Sequence, residues 1–118
     1  MFADKLEKFE DLGAETEAAL ERMLNDPKAY EQYLLNFFQE NTMTELKKAV
    51  AAQNEEAALN ISHTLKGVAL TLGLLPLADY ATDMVIALRE KDPEAAWRAY
   101  PLLEETYNKF KAIMNEAD

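Results

Sequence analysis

Apolar residues recur at alternating spacings of four and three along the C-terminal third of this chain. They form the series Ala96, Tyr100, Leu103, Tyr107, Phe110 and Met114. This spacing places apolar side chains on one face of an α-helix, whereas a half-buried strand needs alternation at every second position. Strand-like alternation is nearly absent from the rest of the sequence. The pattern therefore predicts an all-α protein.

Capping residues mark where the helices begin. Asn25-Asp26-Pro27 and Asp92-Pro93-Glu94 each combine a capping carboxylate with a proline in the first turn, where its missing N–H costs nothing. Asn54 is a third cap, followed by two acids that the helix dipole favours. The helix after Asn54 should end at Gly73, and the next should begin near Pro76. Its core face is predicted to consist of Leu77, Ala81, Met84 and Leu88.

The N-terminal half is helical as well. Residues 2–24 are acidic and broken by Gly13, which predicts one or two short helices. After Asp26, an apolar face continues past Asn41-Thr42, and the sequence leaves open one long helix or two helices end to end. The length suits one domain over residues 1–118. We expect an antiparallel four-helix bundle with a short N-terminal helical extension.

The charge and composition of the chain exclude several classes of binding partner. With 12 basic and 22 acidic residues, the net charge is −10, which argues against binding nucleic acid or an anionic membrane. The chain has no cysteine, and its N-terminus lacks the apolar segment of a signal peptide. The most apolar stretch, residues 68–78, is too short to cross a bilayer. We expect a cytoplasmic, monomeric protein.

The only histidine, His63, lies in the middle of a predicted helix. At about 100° per residue, three apolar side chains fall within roughly 40° of Ile61 on the helical wheel, and the four together form the predicted core stripe. These are Ile61, Leu65, Val68 and Leu72. His63 lies about 200° from Ile61, so we expect it to face solvent rather than bind a metal or haem inside the bundle. With no second histidine and no cysteine, we expect no metal site.

Lys66 and Gly67 follow His63 by about one turn. A neutral imidazole with a pKa of about 6.5 is a nucleophile near neutral pH, and a neighbouring lysine can offset the charge of an anionic group. A glycine in mid-helix costs about 1 kcal/mol relative to alanine. It indicates either space for a partner beside the ring or close packing between helices. No phosphate-binding loop or kinase signature is present, so the chain is expected to carry a phosphoryl group without its own ATP chemistry.

A docking patch is predicted around the histidine. Leu59 and Leu70 flank it on the outward face, and Glu56 lies two turns earlier in line with it. We assign these three residues, together with Asn60, to the surface that binds a partner.

The segment His63-Thr64-Leu65-Lys66-Gly67, with Leu72-Gly73, resembles the H-x-L-K-G and L-G signature of histidine-containing phosphotransfer (HPt) domains. The resemblance extends over most of the chain. It implies that His63 is phosphorylated by a phospho-aspartyl receiver domain and passes the group to another receiver. The partners would be receiver domains of response regulators or of hybrid histidine kinases. They would supply the Mg²⁺, so this chain would need no cofactor of its own.

The resemblance also implies that Lys66 contacts the phosphoryl group and that Gly67 keeps the ring accessible. One departure from the family pattern follows the glycine. Many members have small serine or alanine residues just after it, where this chain has Val68, Ala69 and Leu70. We expect this change to affect packing and partner choice rather than chemistry.

Two alternative functions stay open at this point. The chain could be the phosphoacceptor domain of a chemotaxis-type histidine kinase, phosphorylated by a catalytic domain. It could also be a helical interaction module whose histidine is never phosphorylated. Because the sequence ends at Asp118, we expect a stand-alone carrier.

Overall fold

A computed structural model describes residues 1–117, so Asp118, the last residue of the predicted domain, lies outside the described residues. Seven α-helices and no strand occur within residues 1–117. They are α1 (Phe2–Asp11), α2 (Thr16–Arg22), α3 (Pro27–Gln39), α4 (Thr42–Ala51), α5 (Glu55–Thr71), α6 (Leu75–Arg89) and α7 (Pro93–Met114). The predicted all-α bundle with an N-terminal helical extension is confirmed.

The three predicted caps are formed as expected. The Asp26 carboxylate accepts hydrogen bonds from the backbone N–H groups of Lys28 and Ala29. The Asn54 side chain accepts one from the N–H of Ala57, at 3.1 Å. The Asp92 carboxylate accepts a hydrogen bond from the N–H of Ala95, at 3.3 Å. Each cap satisfies amide groups that have no partner within the helix.

The segment beyond Asp26 forms two helices rather than one. The chain becomes extended at Glu40, where φ is −71° and ψ is 159°, and α4 begins two residues later at Thr42. The helices on both sides of this break each keep a buried face.

The helices of the bundle pack against one another around a shared apolar core. α5 packs against α4 and α6, and α7 packs against α6, α3 and α4. The predicted core faces of α6 and α7 are buried as expected. Phe9 of α1 lies edge-on against Phe38 of α3 and Phe110 of α7, so the N-terminal helix covers the core formed by the longer helices. No helix within residues 1–117 is both long and apolar enough to span a membrane.

The predicted core stripe of α5 is wrong in part. Leu65 and Leu72 are buried, but Ile61 is only half-buried and Val68 is 37% exposed. The buried face instead consists of Ala58, Ser62, Leu65, Ala69 and Leu72. On the helical wheel this face is rotated by about 50° from the predicted one. Small side chains at three of its five positions let the neighbouring helices approach α5 closely, so packing rather than side-chain hydropathy sets its orientation.

Candidate functional site

His63 is exposed in the middle of α5, as predicted. Its position opposite the buried face turns the imidazole toward solvent. Among residues 1–117, its side chain forms no hydrogen bond or ion pair. The ring is therefore open to an approaching partner and is not committed to a structural contact.

Lys66 and Gly67 lie beside His63. Lys66 is half-buried, one turn along the helix, and forms no ion pair with the residues that the structure describes. Gly67 is exposed, and a Cβ added there would find no atom within 4 Å outside its own helix. This open space excludes close helix packing as the reason for the glycine. Both residues leave the approach to the imidazole unobstructed.

A groove of about 900 Å³ runs along the side of α5 that includes His63. Its walls come from α5, α3 and the end of α2. The lining residues are His63, Thr64, Gly67, Val68, Thr71 and Leu72 on α5, Tyr33, Asn36, Phe37 and Glu40 in and after α3, and Arg22 and Met23 at the end of α2. The site is therefore larger than the single helix face that the sequence indicated.

The groove has a defined direction, because Tyr30 near the start of α3 meets the end of α5, whereas Asn41 just after α3 lies near Asn60 and Thr64 in the middle of α5. Near one end, the Tyr30 hydroxyl of α3 donates a 2.7 Å hydrogen bond to the carbonyl of Leu72, at the end of α5. Burial raises the pKa of Tyr30 to about 12. Glu40, which directly follows α3, lines the groove at the opposite end of that helix. A partner seated in the groove would meet a different chemical environment at each end.

Arg22 closes the end of the groove that lies farthest from His63. Its Nη1 donates hydrogen bonds to the carbonyls of Leu70 and Thr71, each at 3.0 Å. These carbonyls belong to the last turn of α5, where no further helical N–H group is available and a cation is favoured by the helix dipole. Arg22 was missed from the sequence because it lies far along the chain, in a segment interpreted only as an extension.

The four predicted docking residues differ in exposure. Leu70 is 42% exposed, Glu56 and Asn60 are exposed, and Leu59 is half-buried against the core. On the helical wheel, Leu59 and Leu70 lie on the side of His63 away from the groove. Asn60 lines a smaller groove between α4 and α5. Their contact with a partner stays a prediction.

The comparison with protein families agrees with this geometry. The family model described as Hpt domain matches residues 3–113. The chain belongs to the Hpt domain family. Hpt domains are phosphocarriers rather than enzymes, and they act in phosphotransfer within two-component signalling, where their partners are receiver and kinase domains. Neither a search of curated proteins nor a search of solved structures found a significant match to this Hpt domain.

Proposed function

We propose that His63 accepts a phosphoryl group from a phospho-aspartyl receiver domain and passes it to an aspartate of a second receiver. The observation that supports this proposal is the exposed imidazole without a structural partner, in a chain of the Hpt family. A buried or hydrogen-bonded histidine would have to leave its contacts before reacting. His63 has no such contact to break among the described residues.

The transfer step needs one nucleophile and one leaving group. A lone pair of a neutral ring nitrogen attacks phosphorus, and a nitrogen–phosphorus bond forms. The bond between phosphorus and the aspartyl oxygen breaks, and its electron pair stays with the aspartate as a carboxylate. The second transfer reverses these events, since another aspartate carboxylate attacks phosphorus and the imidazole leaves with its lone pair restored.

Lys66 and Gly67 have separate roles in this proposal. Lys66 is one turn from the imidazole and carries a positive charge that offsets the phosphoryl oxygens. Gly67 keeps the space beside the ring free. The receiver supplies the aspartate and the Mg²⁺ that neutralises the phosphoryl group during transfer. This chain then contributes the nucleophile and the docking surface, and it needs no cofactor of its own.

The proposal is tested by incubating the protein with receiver domains phosphorylated on aspartate. We expect phosphate on this chain that is labile in acid and stable in base, as expected for a phosphorus–nitrogen bond. If no receiver transfers phosphate but a histidine kinase catalytic domain with ATP does, the chain is the phosphoacceptor of a chemotaxis-type kinase. If neither donor labels the chain, it is an interaction module, and the proposal is wrong.

Gly67 offers a prediction in which stability and transfer change in opposite directions. Gly67→Ala should stabilise the isolated domain by about 1 kcal/mol, because alanine has the better helix propensity and its Cβ meets open space. Larger side chains in Gly67→Gln and Gly67→Leu should keep the melting temperature at or above that of the wild type. They should slow phosphotransfer progressively, because they project beside the imidazole.

The measurement is melting temperature and transfer rate across the four residues at position 67. Stability that falls as the side chain grows would mean that the position is packed in solution. A transfer rate that does not depend on size would remove steric access as the role of Gly67.

A further inference from the structure

Val68 is a partly exposed valine that the fold does not require. It is 37% exposed and lies outside the buried face of α5. A β-branched residue has a lower helix propensity than alanine, because its side chain loses rotamer freedom against the preceding turn. Neither core packing nor helix stability therefore accounts for a valine at this position. The groove that it lines does offer an explanation.

Val68 and Tyr33 line the groove from opposite helices. Tyr33 of α3 is 57% exposed although it is large and aromatic. The buried side chains of Phe37 and Leu72 also line the groove. Exposed apolar side chains that lie together in a concave site mark a place where another molecule can bury apolar surface. His63 lines the same groove, so a partner that reacts with His63 is placed to cover it.

Arg22 adds a charged contact at the far end. Its guanidinium group has five N–H donors, and the carbonyls of Leu70 and Thr71 occupy the two on Nη1. The remaining N–H groups, on Nε and Nη2, have no hydrogen-bond partner among residues 1–117. Nε and Nη2 together form a fork that fits both oxygens of a carboxylate. Because two backbone carbonyls hold the side chain in place, little ordering is needed when a carboxylate binds.

We propose that Val68, Tyr33 and Arg22 select which receiver domain exchanges phosphate with His63. Val68 and Tyr33 pack against a bulky apolar side chain of the receiver, and Arg22 binds one of its carboxylates. From His63 to Thr71 is eight residues, or about 12 Å along the helix. The receiver that fits thus carries an acidic side chain about 12 Å from its phospho-aspartate. This inference rests on the proposed function of His63.

The charge of the protein makes this contact selective. The chain carries a net charge of −10, so its surface repels acidic partners in general. A carboxylate is favoured at Arg22, and a receiver with a basic or shortened side chain there would lose the contact. The receiver is then selected by attraction between Arg22 and its carboxylate, together with repulsion between other acidic groups and the rest of this negatively charged surface.

The inference is tested by phosphotransfer kinetics from a panel of phosphorylated receivers. For receivers that label the wild type, Arg22→Gln and Val68→Ser should each raise KM about tenfold and change kcat less than twofold. Arg22→Lys should give an intermediate KM, because lysine keeps the charge and loses the fork. The matched controls are Arg98→Gln and Ile86→Ser, which alter exposed residues outside the groove and should leave KM unchanged.

A charge exchange separates recognition from a structural effect of Arg22 on α5. Arg22→Glu should lose transfer from the wild-type receiver. Transfer should return when an exposed acid of that receiver, about 12 Å from its phospho-aspartate, is replaced by arginine. A wild-type KM for both Arg22→Gln and Val68→Ser, or no rescue by any such acid, would overturn the inference. Failure of the proposed function is distinct, because no receiver would then label even the wild-type protein.

Discussion

Replacement of His63 by glutamine should abolish phosphoryl acceptance and leave the fold intact. The imidazole is exposed and forms no hydrogen bond or ion pair with the described residues, so its loss removes no stabilising contact. Glutamine has good helix propensity and no nucleophilic nitrogen, since its amide lone pair is delocalised. We expect a change in unfolding free energy within about 0.5 kcal/mol, as for surface substitutions in general.

The measurement is the amount of acid-labile phosphate on the protein after incubation with a phosphorylated receiver, together with the melting temperature. Asn108→Gln serves as the control, because Asn108 is also exposed in mid-helix but lies on α7. It should accept phosphate at the wild-type rate. Phosphate on the His63→Gln variant would show that another residue is the acceptor. A large fall in melting temperature would show that His63 supports the fold.

Gly73→Ala should be the most destabilising of the substitutions considered for this chain. Gly73 has φ of +75°, a left-handed conformation that costs an alanine about 1–2 kcal/mol. An added Cβ would overlap the backbone carbonyl oxygen of Glu15 and would lie 3.2 Å from the Cβ of Ala19. Relieving this overlap would disturb the 2.8 Å hydrogen bond from the Glu15 N–H to the Gly73 carbonyl.

Strain and overlap together should destabilise the domain by about 3–4 kcal/mol, which corresponds to a fall in melting temperature of about 10 °C or more. Gly67→Ala is the matched control, because the same substitution inside α5 meets open space and should be stabilising. Gly73→Asn tests which cause dominates. Asparagine tolerates the left-handed conformation but still carries a Cβ, so it should be nearly as destabilising if overlap dominates. A melting temperature near that of the wild type for Gly73→Ala would contradict the close approach.

Local signals in the sequence were sufficient to predict the fold class and most helix boundaries. The caps at Asp26, Asn54 and Asp92 were predicted correctly because a cap depends on groups within three residues of it. The core faces of α6 and α7 were also predicted, because large apolar residues mark them at helical spacing. The exposure of His63 followed from the same reasoning, since it lies far from either version of the core face of α5.

The orientation of α5 and the groove beside His63 were decided by the tertiary structure. Ala58, Ser62 and Ala69 carry little hydropathy signal, and they are buried because neighbouring helices approach α5 where its side chains are small. The resulting rotation exposes Val68 into the groove. Arg22 reaches the end of α5 only because the N-terminal helices fold back over it. The sequence alone determined the all-α class, the capped helix starts and the exposed histidine. Helix packing determined which residues surround that histidine, because contacts between distant segments depend on how the helices fit together.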